Sequence, residues 1–459
     1  MALAADAIPR FIVVKSKVYS DKGNAYFKAD GTGGGSVLLG EADVFSTVAK
    51  IEAERSTSSN SYINLRFCYS NRYWARKANS NLIVADSDQP DEDTTKPTCT
   101  LFEPVKVDDF FYLIHVQSGG HLLMDTATLA FYVESNPISE QAYLTFVDWN
   151  SLVKLPPRIA IKGDNEKYIK NFNGSLQFAS DDANKEDSSY VVELRPNGNV
   201  QIRLAGDEDA YWALSHTVNS WIDMVDPFNE QNQFWPVKID EKSIALRSVD
   251  NNNFCRRLSA EGAVDCLSAS ATTITNEAIM QVQEQVLGRT IYNVRYEMEY
   301  ARIFDEQPYI AGSSTLTNDK DGEASMSVSI TYTDEKTYTF TRSLSLTAGV
   351  SASIEAGVPF IEKATITVNY EINGTFEWGT EESTSVSVTA TGSVPVPGRS
   401  TVVVDYVGTK GTCNIPYSYT QEDKSSTDGN TLYTDVSDGI YTGVNCYNYS
   451  FHVRSTQPL

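Results

Sequence analysis

The chain has 459 residues, 41% of them hydrophobic, so it is long enough for about three domains that each bury a core. Its formal net charge of -23 at pH 7 disfavours nucleic acid as a partner, because neutralising phosphate requires clustered Lys and Arg. Anionic lipid is disfavoured for the same reason, so a membrane approach would start from a neutral receptor such as a glycan. Acidity that serves only solubility is an equal alternative.

The N-terminus, MALAADAIPRFIVVKS, lacks the basic region and the apolar run of a signal peptide. We therefore expect a cytoplasmic or nucleocytoplasmic soluble form. No segment reaches the roughly 18 continuous apolar residues of a membrane helix, so any crossing would be made by strands. The six cysteines lack CxxC spacing, which predicts neither a disulfide scaffold nor a zinc site, and we expect no cofactor. Cys413 and Cys446 could pair in an oxidising compartment.

An internal repeat organises the first 285 residues. Short β-type triplets closed by a basic residue or His begin at 12, 63, 112, 159, 200 and 244, and a bulky apolar or aromatic pair follows about ten residues later. Three such units can close around a pseudo-threefold axis as a β-trefoil, so six units predict two trefoils. The echo of 102–108 in 234–240 supports grouping by threes. Consecutive prolines at Pro156 and Pro157 lie at the junction, and the predicted domains are 1–153 and 154–290.

Aromatic rings beside Asn or Asp suit a sugar, because its C–H face stacks on a ring while its hydroxyls need polar partners. The carbohydrate-binding candidates are Asn71, Tyr73, Trp74, Tyr211 and Trp212. An aromatic residue at a fixed position of a repeat is more often part of the core, and that alternative stays open for each ring.

Three segments carry a resemblance to a known family: Tyr73-Trp74, the Phe-x-Pro-Val-Lys echo, and Asn251–Leu258 followed by Val286–Val294. Residues 8 to 290 resemble the amaranthin-type agglutinins of plants. The resemblance implies tandem trefoil lectin domains that bind a galactose or N-acetylgalactosamine type glycan at a site shared between two subunits, and a soluble homodimer is one form this could take. Asn71, Tyr73 and Trp74 match the sugar-contacting turn, whereas Arg72 replaces the smaller polar residue expected there.

After Tyr300 the composition changes to Ser, Thr, Val and Gly with long two-residue alternation. The alternation predicts an amphipathic hairpin whose arms span 324–358 and 364–373, joined by a loop in which Phe360 and Ile361 cross first. One face would meet lipid and the other a water-filled lumen, and closure would need hairpins from several identical chains. A soluble sandwich with one buried face is the alternative. The membrane-inserting candidates are Leu344, Leu346, Ala348, Val350, Ala352, Ile354, Phe360, Ile361, Ile366, Val368 and Tyr370, and the pore-lining candidates are Ser351, Ser353, Glu355, Thr365, Thr367 and Glu371.

The segments Ser343–Ile361, Phe376–Gly379 and Val394–Gly398 resemble the aerolysin-like β-pore-forming domain. That resemblance covers 291–459 and implies a soluble precursor that rearranges into a ring with a β-barrel stem. The predicted fold is all-β, with two tandem β-trefoils followed by an elongated antiparallel β domain. The predicted function is a lectin that targets membranes and oligomerises into a pore, in plant defence. A non-lytic agglutinin is the alternative, and an enzyme is not expected because no G-x-S-x-G, H-E-x-x-H or G-x-G-x-x-G motif is present.

Overall fold

The computed structural model describes residues 4–19, 25–30, 35–135, 137–225, 232–240, 242–342, 350 and 352–459. In these residues the chain forms strands connected by turns and single-turn 3-10 helices, which confirms the all-β prediction. The chain divides into two compact units: Met1–Arg289 with Ser343–Ser351 and Glu422–Tyr433, and Thr290–Arg342 with Ala352–Gln421 and Thr434–Leu459. The 3-10 helices are Ala4–Ala7, Thr47–Ala49, Glu140–Ala142, Trp149–Ser151, Glu186–Ser188, Asn276–Ala278 and Met298–Tyr300.

The first twelve described strands form a closed ring with three hairpins attached to it. Strands β1, β4, β5, β8, β9 and β12 pair in that order, and β12 pairs back onto β1. Hairpins β2–β3, β6–β7 and β10–β11 complete the three units. A six-stranded barrel with three hairpins is the arrangement of a β-trefoil. The strands are β1 (Phe11–Ser16), β2 (Tyr26–Ala29), β3 (Val37–Glu41), β4 (Lys50–Arg55), β5 (Ile63–Phe67), β6 (Arg72–Arg76), β7 (Ile83–Ser87), β8 (Leu101–Val107), β9 (Phe110–His115), β10 (Gly120–Met124), β11 (Phe131–Glu134) and β12 (Leu144–Asp148).

The next twelve strands repeat this arrangement. Strands β13, β16, β17, β20, β21 and β24 close the second ring, and β14–β15, β18–β19 and β22–β23 are its hairpins. The strands are β13 (Arg158–Lys162), β14 (Tyr168–Phe172), β15 (Ser175–Ser180), β16 (Tyr190–Leu194), β17 (Val200–Leu204), β18 (Tyr211–Leu214), β19 (Ile222–Val225), β20 (Phe234–Lys238), β21 (Ser243–Ser248), β22 (Phe254–Ala260), β23 (Ala263–Ala271) and β24 (Met280–Glu284).

The sequence repeat has a direct structural cause. The basic residue that closes a triplet lies opposite the first aromatic residue of the following pair, as in Arg66↔Tyr73 and Arg203↔Tyr211. The apolar triplet residues before it point into the barrel, where Ile63, Leu65, Val200 and Ile202 are each 0% exposed. The tight turn between triplet and pair therefore fixes which side chains face the core.

The last eight strands form one antiparallel sheet in the order β29-β28-β25-β31-β32-β27-β30, with β26 paired to β31. Most of these strands are much longer than those of the trefoils, because the two-residue alternation is sustained over long stretches of the chain. The strands are β25 (Val286–Tyr296), β26 (Arg302–Asn318), β27 (Ala324–Arg342), β28 (Ala352–Glu362), β29 (Thr365–Phe376), β30 (Glu381–Val396), β31 (Ser400–Ser425) and β32 (Thr431–Pro458).

The predicted single arm from 324 to 358 is wrong for this structure. Strand β27 ends at Arg342 and pairs with β30, from Ala324↔Val396 to Thr339↔Glu381. Strand β28 begins at Ala352 and pairs with β29 instead. The alternation is therefore divided between two ladders, and periodicity alone could not reveal this because both ladders need the same pattern.

Candidate glycan and membrane-inserting sites

The five residues predicted to bind carbohydrate are buried. Tyr73, Trp74 and Trp212 are 0% exposed, Asn71 is 5% and Tyr211 is 9%. A ring with no accessible face cannot stack on a sugar, so the prediction that these rings contact carbohydrate is wrong for this conformation. The core alternative considered from the sequence is what the structure shows.

The two tryptophans fill the centres of their barrels. Trp74 contacts Phe67, Phe102 and Phe131, with ring centroids 5.6, 6.4 and 5.6 Å away. Trp212 lies edge-on to Tyr190 at 5.0 Å and to Phe234 at 6.3 Å. These geometries are those that aromatic quadrupoles favour, and they account for the repeated position of the rings.

The tyrosine beside each tryptophan is held by a matching polar network. Tyr73 Oη donates to Glu54 Oε2 at 2.7 Å, and the same carboxylate accepts from Arg66 Nε at 3.2 Å. In the second barrel Tyr211 Oη donates to Glu193 Oε1 at 2.9 Å, and Arg203 Nε donates to it at 3.1 Å.

Burial and this bond to Glu193 together raise the pKa of Tyr211. Because the tyrosine hydroxyl stays neutral and the carboxylate has donors, neither group loses its hydrogen bonds when it is partly buried. Asn71 turns the chain at φ 54° and accepts from Arg66 Nη1, so its role is also internal. Sequence reasoning missed these glutamates, although the base opposite the aromatic residue was a signal for an acidic partner.

Strands β28 and β29 form a hairpin with a two-residue turn at Lys363 and Ala364, both at positive φ. Phe360 and Ile361 lie within β28 and are 4% and 2% exposed, so their predicted place in a crossing loop is wrong. The turn falls later because two consecutive left-handed residues match the twist of a tight hairpin, whereas Pro359 is accommodated inside the strand.

One face of β28 is apolar and buried. Ala352, Ile354, Ala356 and Val358 are 3%, 2%, 8% and 0% exposed, in the register predicted from the alternation. Ile354, Ala356 and Val358 pack in a cluster rich in tyrosine, whose other members include Tyr338, Tyr417, Tyr419, Tyr441 and Tyr447. The intervening Glu355 is exposed, and so is Glu371 on the partner strand. This hairpin therefore has an apolar side sequestered in the second unit and a polar side in water.

A β-bulge interrupts this pattern. Val358 lies opposite Tyr370 but Pro359 lies opposite Val368, which leaves Asn369 as the extra residue. Residues directly opposite each other share a face, so Val368 lies with Pro359 and Ile366 with Ile361, while Thr367 lies with Phe360 and Thr365 with Glu362. The prediction of a single apolar face through residue 373 is therefore wrong. Counting even and odd positions along the sequence cannot reveal an extra residue that reverses which side of the sheet the later residues face.

Three side chains hold the backbone of β28. Tyr296 Oη donates to Gly357 O, and Tyr441 Oη donates to Pro359 O. Asn445 accepts from Ile361 N at 2.9 Å and donates to Ile361 O at 2.8 Å. Burial raises the pKa of Tyr296 and of Tyr441 well above the usual range, which keeps both hydroxyls protonated as donors. This alternation of side-chain clamps at 357, 359 and 361 was not anticipated from the sequence.

The remaining candidates have simple outcomes. Val350 is half-buried and Ser353 Oγ donates to Thr290 Oγ1 at 3.3 Å. Leu344, Leu346, Ala348 and Ser351 lie outside the described residues. Cys413 and Cys446 are free thiols, and burial raises the pKa of Cys413 to about 11. Among the residues that the structure describes, no helix is long and apolar enough to span a membrane.

Part of the chain matches a known domain family. Residues 14–135 match the Agglutinin domain family. Natterin-1 of Thalassophryne nattereri is 26% identical over 152 residues, which are 33% of this chain and 42% of natterin-1, so the chain spans less than half of that relative.

Two solved structures show a weaker likeness. The hemolytic lectin CEL-III is 10% identical, with 97% of this chain and 94% of that chain covered, at a TM-score of 0.31. An aerolysin-like protein of Bombina maxima is 10% identical, with 37% of this chain and 99% of that chain covered, at a TM-score of 0.26.

Proposed function

We propose that the chain, part of which matches the Agglutinin domain family, binds cell-surface glycans and that several copies then form a membrane pore. The resemblance to amaranthin-type agglutinins supports a galactose or N-acetylgalactosamine type glycan as the receptor, and a role in plant defence. The chain acts in this proposal by binding and rearrangement, with no catalytic step.

The amphipathic hairpin β28–β29 carries the pore proposal. Its row of Ala352, Ile354, Ala356 and Val358 is buried, whereas Glu355 on the other face is exposed. A lipid-facing strand needs the first row and a water-filled lumen tolerates the second. Eleven residues of β28 are also enough to cross the hydrocarbon when tilted, since about 9 to 11 suffice.

Release of the hairpin from its buried packing is the step that this proposal requires. The apolar row leaves behind tyrosine rings, whose hydroxyl ends tolerate water better than an aliphatic core would. The clamps from Tyr296, Tyr441 and Asn445 are hydrogen bonds that water can replace. Once in lipid, the hairpin has unpaired edge amides that cost several kcal/mol each, so neighbouring copies must close the sheet.

Neighbouring positions of β28 provide a matched test. Ile354→Asp places a charge on the buried row and Ser353→Asp places one on the polar face. We expect dye release from vesicles bearing galactose-terminated glycolipid to be lost in the first variant and kept in the second, with vesicle binding kept in both. Thermal unfolding identifies any variant that fails to fold. Equal leakage by folded Ile354→Asp protein would overturn the hairpin assignment.

A non-lytic agglutinin is the second candidate, because the matched Agglutinin domain accounts for binding by itself. It predicts vesicle aggregation without dye release from the unmodified chain. Competition with free galactose, N-acetylgalactosamine and glucose in the same assay tests the sugar class. Electron micrographs of vesicles after incubation test for rings of identical subunits.

A further inference from the structure

A polar pocket opens on the outer surface of the second trefoil, away from its buried rings. Lys162 of β13 lies opposite Tyr168 of β14 on one side and opposite Gln281 of β24 on the other. Gln281 in turn lies opposite Ser243, next to Lys242. The cavity has a volume of about 320 Å³ and is lined by Lys162, Tyr168, Lys242, Gln281, Val282, Gln283, Glu284, Val286 and Val350.

The pocket combines an aromatic ring, an amide and ammonium groups. Tyr168 Oη donates to Gln283 Oε1 at 2.6 Å, which fixes the ring. Lys162 Nζ lies 5.9 Å from the centre of that ring. Gln281 and Lys242 are exposed at the rim, and Val350 adds an apolar wall. A pyranose ring needs this combination, with a surface for its C–H groups and donors for its oxygens.

The charge of the pocket differs from that of the whole chain. Its one lining carboxylate, Glu284, is only 6% exposed and is bonded to Arg289 Nη2 at 2.6 Å, so its charge is compensated. Of the two lysines, Lys242 is exposed, and Lys162 is partly buried and paired with a carboxylate outside the pocket lining. In a chain with a net charge of -23, two lysines in one cavity make a local site that can attract an anion.

A carboxylate of the chain itself already binds one of the two lysines. Lys162 Nζ donates to Glu166, whose side chain is 70% exposed and whose backbone turns at φ 61°. An exposed ion pair of this kind contributes little stability, so a ligand carboxylate can displace it.

We propose that this pocket binds an acidic sugar, with the ring against Tyr168 and the carboxylate toward Lys162 and Lys242. The inference rests on the proposed glycan-binding function and specifies its ligand at a second site. It adds an acidic class to the neutral glycans expected from the sequence.

Calorimetric titration of the full chain with 3'-sialyllactose and with lactose tests the proposal. We expect the acidic sugar to bind at least about tenfold more tightly, with an affinity that falls as salt rises. Lys162→Gln combined with Lys242→Gln should reduce that affinity about tenfold and remove most of its salt dependence. Lys185→Gln, an exposed lysine elsewhere in the same trefoil, is the matched control and should change nothing.

The outcomes separate this inference from the proposed function. If both sugars bind equally and the double variant has no effect, the pocket assignment is wrong while glycan binding stands. If neither sugar binds and vesicles bearing neutral glycolipid also remain unbound, both are wrong. If only the neutral vesicles are bound, the acidic pocket alone is refuted.

Discussion

The trefoil barrels and the last sheet are both antiparallel β structures, but they are held together differently. Each barrel packs aliphatic residues around a central tryptophan, and its strands are four to nine residues long. The last sheet packs its hairpin against tyrosines, and side-chain clamps bind the backbone of β28. Burial of aliphatic and indole surface stabilises the barrels, whereas the rearrangement that we propose involves a sheet whose buried contacts are rich in hydroxyl groups and side-chain hydrogen bonds.

The largest effect should come from the centre of a barrel. Trp74→Ala removes a ring that is 0% exposed, so we expect a loss of about 3 to 5 kcal/mol in the free energy of unfolding of the first trefoil. Urea unfolding followed by fluorescence measures it, with exposed His216→Ala as the control. If Trp74→Ala kept its stability but lost glycan binding, Trp74 would be a glycan contact and not a core residue.

A smaller effect should come from the clamp on the hairpin. Asn445→Ala leaves the N–H and C=O of Ile361 without their side-chain partner, which costs about 1 to 3 kcal/mol. We expect faster dye release at unchanged vesicle binding, because the hairpin is released more easily. Gln307→Ala removes an exposed amide from β26 and should leave the rate unchanged. Slower release in Asn445→Ala would mean that the clamp assists assembly.

Low pH should destabilise the first trefoil, because one of its loops is also held by hydrogen bonds to a carboxylate. The carboxylate of Glu92 accepts from Thr57 N and Oγ1, Ser58 N, Ser56 Oγ and Asn64 Nδ2. Burial opposes these bonds, but the bonds from Thr57, Asn64 and Ser56 prevail and lower the pKa of Glu92 from 4.5 to about 2.

A lowered pKa stabilises the fold above the unfolded value and loses that effect as pH falls toward the folded value. The contribution should therefore be complete above about pH 4.5 and fade toward pH 2, by about 1 to 2 kcal/mol after solvent screening. Denaturant midpoints of Glu92→Gln and unmodified protein between pH 7 and 2 measure the difference. If the gap between them stays constant with pH, the ionised carboxylate is not the cause.

The smallest effect should come from the hairpin turn. Ala364 has φ 64°, where a side chain is disfavoured. Ala364→Gly should raise the stability of the second unit by about 0.5 to 1 kcal/mol, and thermal unfolding measures it. Ala356→Gly, in extended backbone on the same hairpin, should do the opposite.

Periodicity and turn chemistry were sufficient to predict the all-β fold, the six repeats and the buried row of β28. They could not place Tyr73 or Trp74, because core and ligand positions call for the same aromatic residues. The alternation could not show that β27 ends at Arg342 and pairs with β30, because strand partners depend on long-range pairing. The bulge at Asn369 and the clamp from Asn445 depend on single contacts for which the pattern has no signal.

The unpaired Asn369 has a consequence for any path into a bilayer. While it stays unpaired, Thr367 lies opposite Phe360 and the exposed Val368 lies opposite Pro359, so apolar side chains occur on both sides of the hairpin tip. An apolar side that continues to the tip requires the pairing near the turn to shift by one residue. Each residue of 365–368 would then lie opposite the neighbour of its present partner in 359–362. This shift of register at the tip would then be the slow step of insertion. Moving the extra residue by mutation should change the lag before leakage without changing the final extent of leakage.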